Sequence, residues 1–235
     1  MTLPLLQLSA VSKDYHGLRP LRIEQLEVAP GDQLAIVGLE RPAAEVFIHL
    51  VTGATLPDRG EIIVFGRATA AIQDSADWFA TLDRFGIVSE RAVLLDALSV
   101  IQNLAVPFSL EIEPPPDSVQ SSARILASEV GLEAASWDRP VAELDLPSRL
   151  RVRFARALAL EPAVLLLEHP SAGLTGADAA LIGRDLRAVS ERRGVAAVTL
   201  TADPAFAAVI AARVWTLQPA TGRLVERSRS WFRGI

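Results

Sequence analysis

The chain alternates between short apolar runs of strand length and longer stretches whose apolar positions recur with helical spacing. Residues 21–28 alternate apolar and charged side chains, which is the pattern of a half-buried strand. Residues 43–52 have the length and the Ala and Leu content of a helix, and Gly53 can end it. The first part of the chain is thus predicted to form strands at 5–8, 21–28, 33–37 and 61–65 and one helix at 43–52.

The last part of the chain continues this alternation more regularly. Helices are predicted at 148–159, 177–192 and 204–212, and strands at 164–167, 196–201 and 214–217. Such an order is typical of a mostly parallel sheet with helices on its faces. In the middle, predicted helices at 98–104 and 121–130 are separated by a proline run at 111–117. Because prolines cannot continue a helix, we interpret 91–150 as an inserted helical lobe within a single domain that spans 1–235.

Composition narrows the possible classes of protein. Half of the 235 residues are hydrophobic but only 6% are aromatic, which predicts a globular core of Ala, Val, Leu and Ile. The absence of cysteine excludes disulfides, thiolate metal sites and cysteine nucleophiles. The net charge is −5 and the basic residues are nearly all arginine, so no dominant basic surface for nucleic acid is expected.

We find no secretory or membrane-spanning signal in the sequence and expect a cytoplasmic location. The first residues contain no basic stretch followed by an apolar run, so we do not expect a secretory signal. The longest apolar stretches, 163–167 and 195–200, are far shorter than the ~20 residues of a spanning helix. We therefore expect no direct membrane insertion, and any membrane role, at the cytoplasmic face, would be peripheral and depend on a partner.

The segment 34–46 has the frame of a phosphate-binding loop without the chemistry of that loop. An apolar strand runs into Gly38, and a helix-length stretch follows. The functional motif ends in Gly-Lys-Ser/Thr, because backbone N–H groups wrap the phosphates, the lysine reaches them and the hydroxyl binds Mg²⁺. Ala43, Ala44 and Glu45 occupy those three positions, and the only lysine of the chain is Lys13. Glu45 would place a carboxylate beside the charge of a nucleotide.

Three segments, 11–15, 53–66 and 155–174, resemble in order and spacing the nucleotide-binding subunit of ABC transporters, and the resemblance runs from about residue 6 to residue 225. It implies an α/β fold with a P-loop NTPase-like core, a mostly parallel sheet, an N-terminal antiparallel β subdomain and an inserted α-helical lobe. It also implies that Tyr15 occupies the position of the aromatic residue that stacks on adenine.

The same resemblance identifies replacements at the catalytic positions. Glu90 falls at the Q-loop glutamine, where we interpret it as a lone surface glutamate rather than a metal ligand. Glu168 falls at the Walker B aspartate, and its longer stem could reach a metal through water. His169 falls at the catalytic glutamate and Ala202 at the switch histidine.

His169 admits two interpretations. Imidazole titrates near neutral pH and could act as a general base, but the cradle that would position the phosphates is lost. We therefore favour a loop histidine that is hydrogen-bonded locally, just before Pro170. Next to Ala202, Asp203 and Pro204 are predicted to be an N-cap and a first helical residue.

The signature segment of the family aligns with Leu144, Asp145, Leu146, Pro147 and Ser148. In the family, N–H groups at this helix start contact a phosphate held by the opposite subunit. Asp145 introduces a negative charge there, Pro147 removes an N–H group and Leu146 adds bulk. The chain would thus also disable the site of a partner.

Arg41 is the one residue of the loop that could still attract a phosphate, although an exposed ion pair with Glu40 is favoured. We therefore assign no catalytic residue and no metal site, and we expect no cofactor, or Mg-ATP if nucleotide binding survives. The resemblance implies an ABC-type subunit that lacks ATPase activity and assists a membrane permease or a sibling ATPase. The permease would dock near 91–104, whose apolar run at 92–95 could equally be core. The alternatives are an unusual active ATPase that uses Arg41, Glu168 and His169, and a soluble interaction module.

Overall fold

The computed structural model of the protein describes residues 3–227. The strands are β1 (Leu6–Lys13), β2 (Leu21–Val28), β3 (Gln33–Val37), β4 (Arg59–Val64), β5 (Arg67–Ala68), β6 (Phe85–Val88), β7 (Val164–Glu168), β8 (Ala196–Thr201), β9 (Arg213–Gln218) and β10 (Arg223–Glu226). The helices are α1 (Arg41–Val51), α2 (Ser75–Leu82), α3 (Val100–Ala105), α4 (Asp117–Glu129), α5 (Leu146–Leu158), α6 (Gly176–Arg193) and α7 (Pro204–Ile210).

The strands form two sheets. The larger sheet has the order β10-β9-β3-β8-β7-β6, in which only β10 is antiparallel to its neighbour. The smaller sheet, β2-β1-β4-β5, is antiparallel throughout. The N–H of Glu24 on β2 donates to the carbonyl of Gly222 at 2.8 Å and joins the two sheets. The predicted mostly parallel sheet and N-terminal antiparallel subdomain are therefore confirmed.

The core lies on both faces of the larger sheet. Every residue of β3, β7 and β8 is buried, as expected for central strands of a parallel sheet that is covered on both sides. One hydrophobic cluster packs α3 to α7 against the sheet, and a second packs α1 between the two sheets. The largest fully buried side chains of the two clusters are Phe154 and Phe206 in the first and Phe47 in the second. Between residues 3 and 227, no helix is both long and apolar enough to cross a membrane.

Two helices begin two residues earlier than predicted. The helix predicted at 43–52 starts at Arg41, and the helix predicted at 148–159 starts at Leu146. Each carries a proline in its first turn, Pro42 or Pro147. Proline is tolerated there because the first N–H groups of a helix have no partner within the helix.

Helix α2 and strand β6 are not predicted by the sequence patterns. Helix α2 contains no buried residue, so it shows no apolar stripe with helical spacing. Strand β6 is only four residues long and follows Asp83 and Arg84 directly. A run this short gives too few positions for a period to be read.

Asn103 on α3 holds the chain segment that precedes this helix. Its side chain is completely buried. The amide nitrogen donates to the carbonyls of Leu95, Leu98 and Ser99, and the amide oxygen accepts from the N–H of Leu95 at 2.8 Å. One side chain thus satisfies backbone groups across a turn that has no regular secondary structure of its own.

We expect Asn103→Leu to lower the free energy of unfolding by about 1–3 kcal/mol, because the volume is kept while backbone groups lose their partners. Ser121→Ala on the exposed face of α4 is the control and should change stability by less than about 0.5 kcal/mol. Urea denaturation of both variants measures the difference. Equal stability of Asn103→Leu and the wild type would show that the turn does not depend on this amide.

Candidate functional site

A cleft of about 320 Å³ lies at the end of the larger sheet where β3, β6 and β7 finish. In open α/β sheets, ligands bind in the crevice at the carboxyl ends of the strands. The structure brings together here five residues singled out in the sequence, together with three others. The lining residues are Arg41, Pro42, Glu45, Ser89, Glu90, Arg91, Glu168 and His169.

The loop between β3 and α1 is only three residues long. Gly38 adopts a positive φ of 99°, and α1 begins at Arg41. The N–H of Ala44 donates to the carbonyl of Glu40 at 2.9 Å, and Pro42 has no N–H to donate. Backbone N–H groups that are used within a helix cannot cradle a phosphate. The early helix start therefore leaves this loop without the wrapped backbone that such a cradle needs.

Ala43 and Ala44 do not face the cleft. Ala43 is 9% exposed and Ala44 is fully buried, and both pack in the cluster between the two sheets. Only Glu45 of the three motif positions lines the cleft.

The Arg91 guanidinium lies between two carboxylates. Its Nη1 is 2.5 Å from Oε2 of Glu45 on α1, and its Nη2 is 2.8 Å from Oε2 of Glu168 at the end of β7. Glu168 is only 9% exposed, and its Oε2 also accepts from the Ser89 hydroxyl at 2.6 Å. The cation thus forms ion pairs with both carboxylates, which stand at positions that, in the resemblance, belong to the Mg²⁺ ligands.

Sequence reasoning missed Arg91 and Ser89. The only signal was that both flank Glu90, but the strand that brings them to the cleft had not been predicted. Among residues 3–227, the His, Asp and Glu side chains form no group of three that could hold a metal ion. With Arg91 between Glu45 and Glu168, the residues of the cleft do not fit a divalent cation.

Two predictions about the cleft charges were wrong. Arg41 does not pair with Glu40, and Glu90 is not a lone glutamate, because Nη1 of Arg41 lies 2.7 Å from Oε2 of Glu90. The cause is the proximity of the start of α1 and the end of β6, which sequence separation hides. Both side chains are more than half exposed, so this pair contributes little stability by itself.

His169 follows β7 directly and lines the cleft together with Arg41. The backbone N–H of His169 donates to the carbonyl of Leu200 at 2.8 Å, and the φ angle of His169 is 44°. Burial lowers the pKa of its imidazole, which the charge of Glu168 opposes and that of Arg41 reinforces. The backbone of Glu40 opposes this lowering of the pKa. The expected local hydrogen bond of this histidine before Pro170 stays a prediction. Within the described chain, its buried Nε2 has no hydrogen-bond partner.

The signature positions serve as a helix start. The side chain of Asp145 accepts from the N–H of Ser148 at 2.8 Å and caps α5. The side chain of Ser148, and after it the backbone of Ser148, lowers the pKa of the Asp145 carboxyl. Leu144 packs against the core, whereas Leu146 is 52% exposed. Leu146 also lines a small cavity of about 40 Å³ that borders Glu168 and His169.

Tyr15 and Ala202 are not among the residues that line the cleft. Tyr15 packs, partly buried, against the cluster between the two sheets, and its ring lies over Gly17. Ala202 is exposed between β8 and α7. The prediction of an N-cap at Asp203 and a first helical residue at Pro204 is confirmed. Asp203 caps α7 by accepting from the N–H groups of Ala205 and Phe206, and the helix begins at Pro204.

We expect Arg91→Met to lower the free energy of unfolding by about 1–3 kcal/mol, because it leaves Glu168 buried without its cation. In a Glu168→Gln background the same change should cost at least about 0.5 kcal/mol less. Arg139→Met, which breaks an exposed pair with Glu143, is the matched control and should be near neutral. Equal costs in both backgrounds, by denaturant titration, would contradict the bridge.

The lowered pKa of His169 predicts a loss of stability in mild acid. The unfolded chain takes up this proton near its ordinary pKa of 6.5, whereas the folded chain takes it up only at lower pH. Stability should therefore fall as pH drops through 6.5 toward the folded pKa. His169→Gln should reduce the fall measured between about pH 7.5 and about pH 5.5. An identical fall in both proteins would rule out a buried neutral imidazole.

Comparison with known proteins supports the architecture and gives the family. The chain is 31% identical over 209 residues to the lipoprotein-releasing system ATP-binding protein LolD of Alcanivorax borkumensis, covering 87% of this chain and 91% of that protein. It is 29% identical to the sulfate/thiosulfate import ATP-binding protein CysA of Caulobacter vibrioides, over 92% of this chain and 62% of that one. No protein-family model matches the chain.

Solved structures match the same fold. CbiO1 of Clostridium perfringens, described as part of the ABC transporter complex cbiONQ, superposes with a TM-score of 0.80 over 94% of this chain and 87% of that one, at 22% identity. The ATP-binding cassette MJ0796 superposes with a TM-score of 0.74 at 21% identity, over 95% of this chain and 99% of that one. The sequence identity to LolD, over nearly the whole of both chains, shows that this protein belongs to the family of ABC transporter ATP-binding subunits.

Proposed function

We propose that this chain is a pseudo-ATPase subunit of an ABC transporter, which binds and hydrolyses ATP weakly or not at all and acts as a structural or regulatory subunit. The observation that supports this most strongly is the position of Arg91 between Glu45 and Glu168, at 2.5 and 2.8 Å. Residues 91–150 would form a lobe that carries the contact with other subunits.

The charges of the cleft oppose a triphosphate. Its carboxylates are Glu45, Glu90 and Glu168, and its two arginines are already paired with them. An entering triphosphate would have to break these pairs or meet the carboxylates directly. The lysine missing at Ala44 removes a further charge-assisted contact of about 1.5–3 kcal/mol.

An active ATPase is the second candidate, because a neutral His169 could accept a proton. It would need Arg41 on a phosphate and Glu168 on a metal, yet both side chains have partners within the protein. Each missing transition-state donor costs about 2.7–4 kcal/mol. Nothing in the cleft replaces several donors at once.

Partners are proposed from the family and from the exposed surface. LolD belongs by name to a lipoprotein-releasing system, and CbiO1 to a transporter complex. We infer a membrane permease, a sibling ATPase or both as partners, at the cytoplasmic face of the membrane. Asp145 and Pro147 at the start of α5 would leave a sibling site without its usual N–H donors. The third candidate function is a soluble interaction module that takes no part in transport.

The segment 91–104 supports a docking role in part. In the apolar run at 92–95, Leu94 is buried in the core, whereas Val93 is 72% exposed and Leu95 is 39% exposed. Both interpretations of the run thus apply, each to different residues.

Calorimetric titration with Mg-ATP tests the pseudo-ATPase proposal. We expect no heat of binding in the micromolar range, because the cleft supplies its own cations. The LolD protein of Alcanivorax borkumensis, titrated in the same buffer, is the positive control. Binding of Mg-ATP by this chain with micromolar affinity would contradict the pseudo-ATPase proposal. ATP hydrolysis that the substitution His169→Ala abolishes would establish the active ATPase.

Co-purification from native membranes tests the partner proposal. A tagged full-length chain should bring down a permease or an ABC-type ATPase after mild detergent extraction. Recovery of neither would favour the soluble module and would leave the calorimetric result unaffected.

A further inference from the structure

A groove of about 610 Å³ lies between the two sheets, at the opposite end of β3 from the cleft. We call it the inter-sheet groove. Residues 25–27 of β2 line one side, and Leu224 and Glu226 of β10 line the other. Asp32, just before β3, and Arg213, the first residue of β9, complete the lining at the amino end of the larger sheet. The groove and the cleft share no lining residue, so they are separate sites.

The groove lies between the free edges of two strands. Both β2 and β10 are end strands of their sheets, so one edge of each has no neighbouring strand in its own sheet. The two strands touch where the N–H of Glu24 donates to the carbonyl of Gly222, which is the one backbone hydrogen bond between them within residues 3–227. Beyond this contact, the strand edges can pair with an extended chain that enters the groove.

The groove has an excess of carboxylates. Glu27, Asp32 and Glu226 line it, together with one guanidinium, that of Arg213. This guanidinium is already engaged, because its Nη2 lies 3.2 Å from Oδ2 of Asp32 and its carbon lies 5.1 Å from the centre of the Trp215 ring. Glu27 and Glu226 are exposed, and neither forms an ion pair within residues 3–227. Two carboxylates therefore stay available to cations of another molecule.

Apolar surface lies beside these carboxylates. Leu224 and Trp215 are half-buried, line the groove and pack against the cluster between the two sheets. Trp215 already has the guanidinium of Arg213 over its ring, an arrangement that aromatic rings favour. The aliphatic stems of lysine and arginine pack on such surfaces while their charged ends reach outward. The groove thus matches a basic side chain along its whole length.

We propose that the inter-sheet groove binds an extended segment of a partner protein in which Lys or Arg residues alternate with apolar residues. The backbone of this segment would pair with a free strand edge. Because successive side chains of a strand point to opposite faces, alternation lets the basic residues reach Glu27 and Glu226 while the apolar residues cover Leu224. The site does not depend on whether the cleft binds a nucleotide.

Fluorescence titration of a site-specifically labelled full-length chain tests this proposal. Because the protein has no cysteine, Gln25→Cys gives one attachment point for an environment-sensitive dye in the groove, and Ser121→Cys on α4 gives a remote one. The probe is a hexapeptide that alternates arginine and valine, and its control has glutamate in place of arginine. We expect a saturable signal only from the arginine peptide and only at the Gln25→Cys label.

Charge reversal separates recognition from loss of folding. Glu27→Lys combined with Glu226→Lys should weaken binding of the arginine peptide at least about tenfold. The reversed chain should bind the glutamate peptide instead, which a misfolded chain could not show. The same reversal at Glu111 and Glu113, two exposed carboxylates far along the sequence, should leave the dissociation constant unchanged. N-methylation of the valines should weaken binding at least about tenfold, because it removes N–H groups that pair with a strand edge.

Four results would overturn the proposal. They are the lack of saturable binding, equal binding of the two peptides, binding that charge reversal leaves unchanged, and binding that N-methylation leaves unchanged. A dye signal that rises with protein concentration alone would assign the groove to a second copy of this chain and would overturn the proposal as well. Binding of Mg-ATP would refute the pseudo-ATPase proposal without bearing on the groove.

Discussion

The structure of the cleft depends on one guanidinium. Arg91 ties the segment that follows β6 to α1 through Glu45 and to β7 through Glu168. Without a cation at this point, the two carboxylates would face each other beside the buried end of a central strand, which is electrostatically unfavourable. Because the cation is covalently part of the chain, the arrangement needs no ion or ligand to form. The neighbouring residues Arg41 and Glu90 form a further ion pair in the same cleft.

This constraint gives a physical basis for the proposed loss of nucleotide chemistry. A phosphate site needs unpaired N–H groups and unpaired cations, whereas here the loop after β3 is shortened by an early helix start and both arginines have partners. An ion-pair network of this kind is weak grounds for claiming extra stability, because desolvation offsets much of the Coulomb attraction. Its more important consequence is geometric, since it fixes the segment leading into residues 91–150 without any nucleotide.

Sequence patterns located the elements whose signals are local. The sequence predicts at their observed positions the buried strands at 33–37 and 196–201 and the cap at Asp203. These features depend only on residues that are neighbours in the sequence. The ion pairs of Arg91 with Glu45 and Glu168 could not be predicted from the sequence, because they depend on the position of β6 beside β7 in the sheet. The pairing of Arg41 with Glu90 was missed for the same reason. The early start of α1 is compatible with Pro42 because proline is tolerated in the first turn of a helix.

The measurement that tests this account most directly is a crystal structure of the full-length protein grown with excess Mg-ATP. The account predicts that the Arg91 guanidinium remains between Glu45 and Glu168 and that the cleft shows no density for phosphates or Mg²⁺. A nucleotide bound at the start of α1, with Arg91 displaced and a metal ion on Glu168, would contradict it.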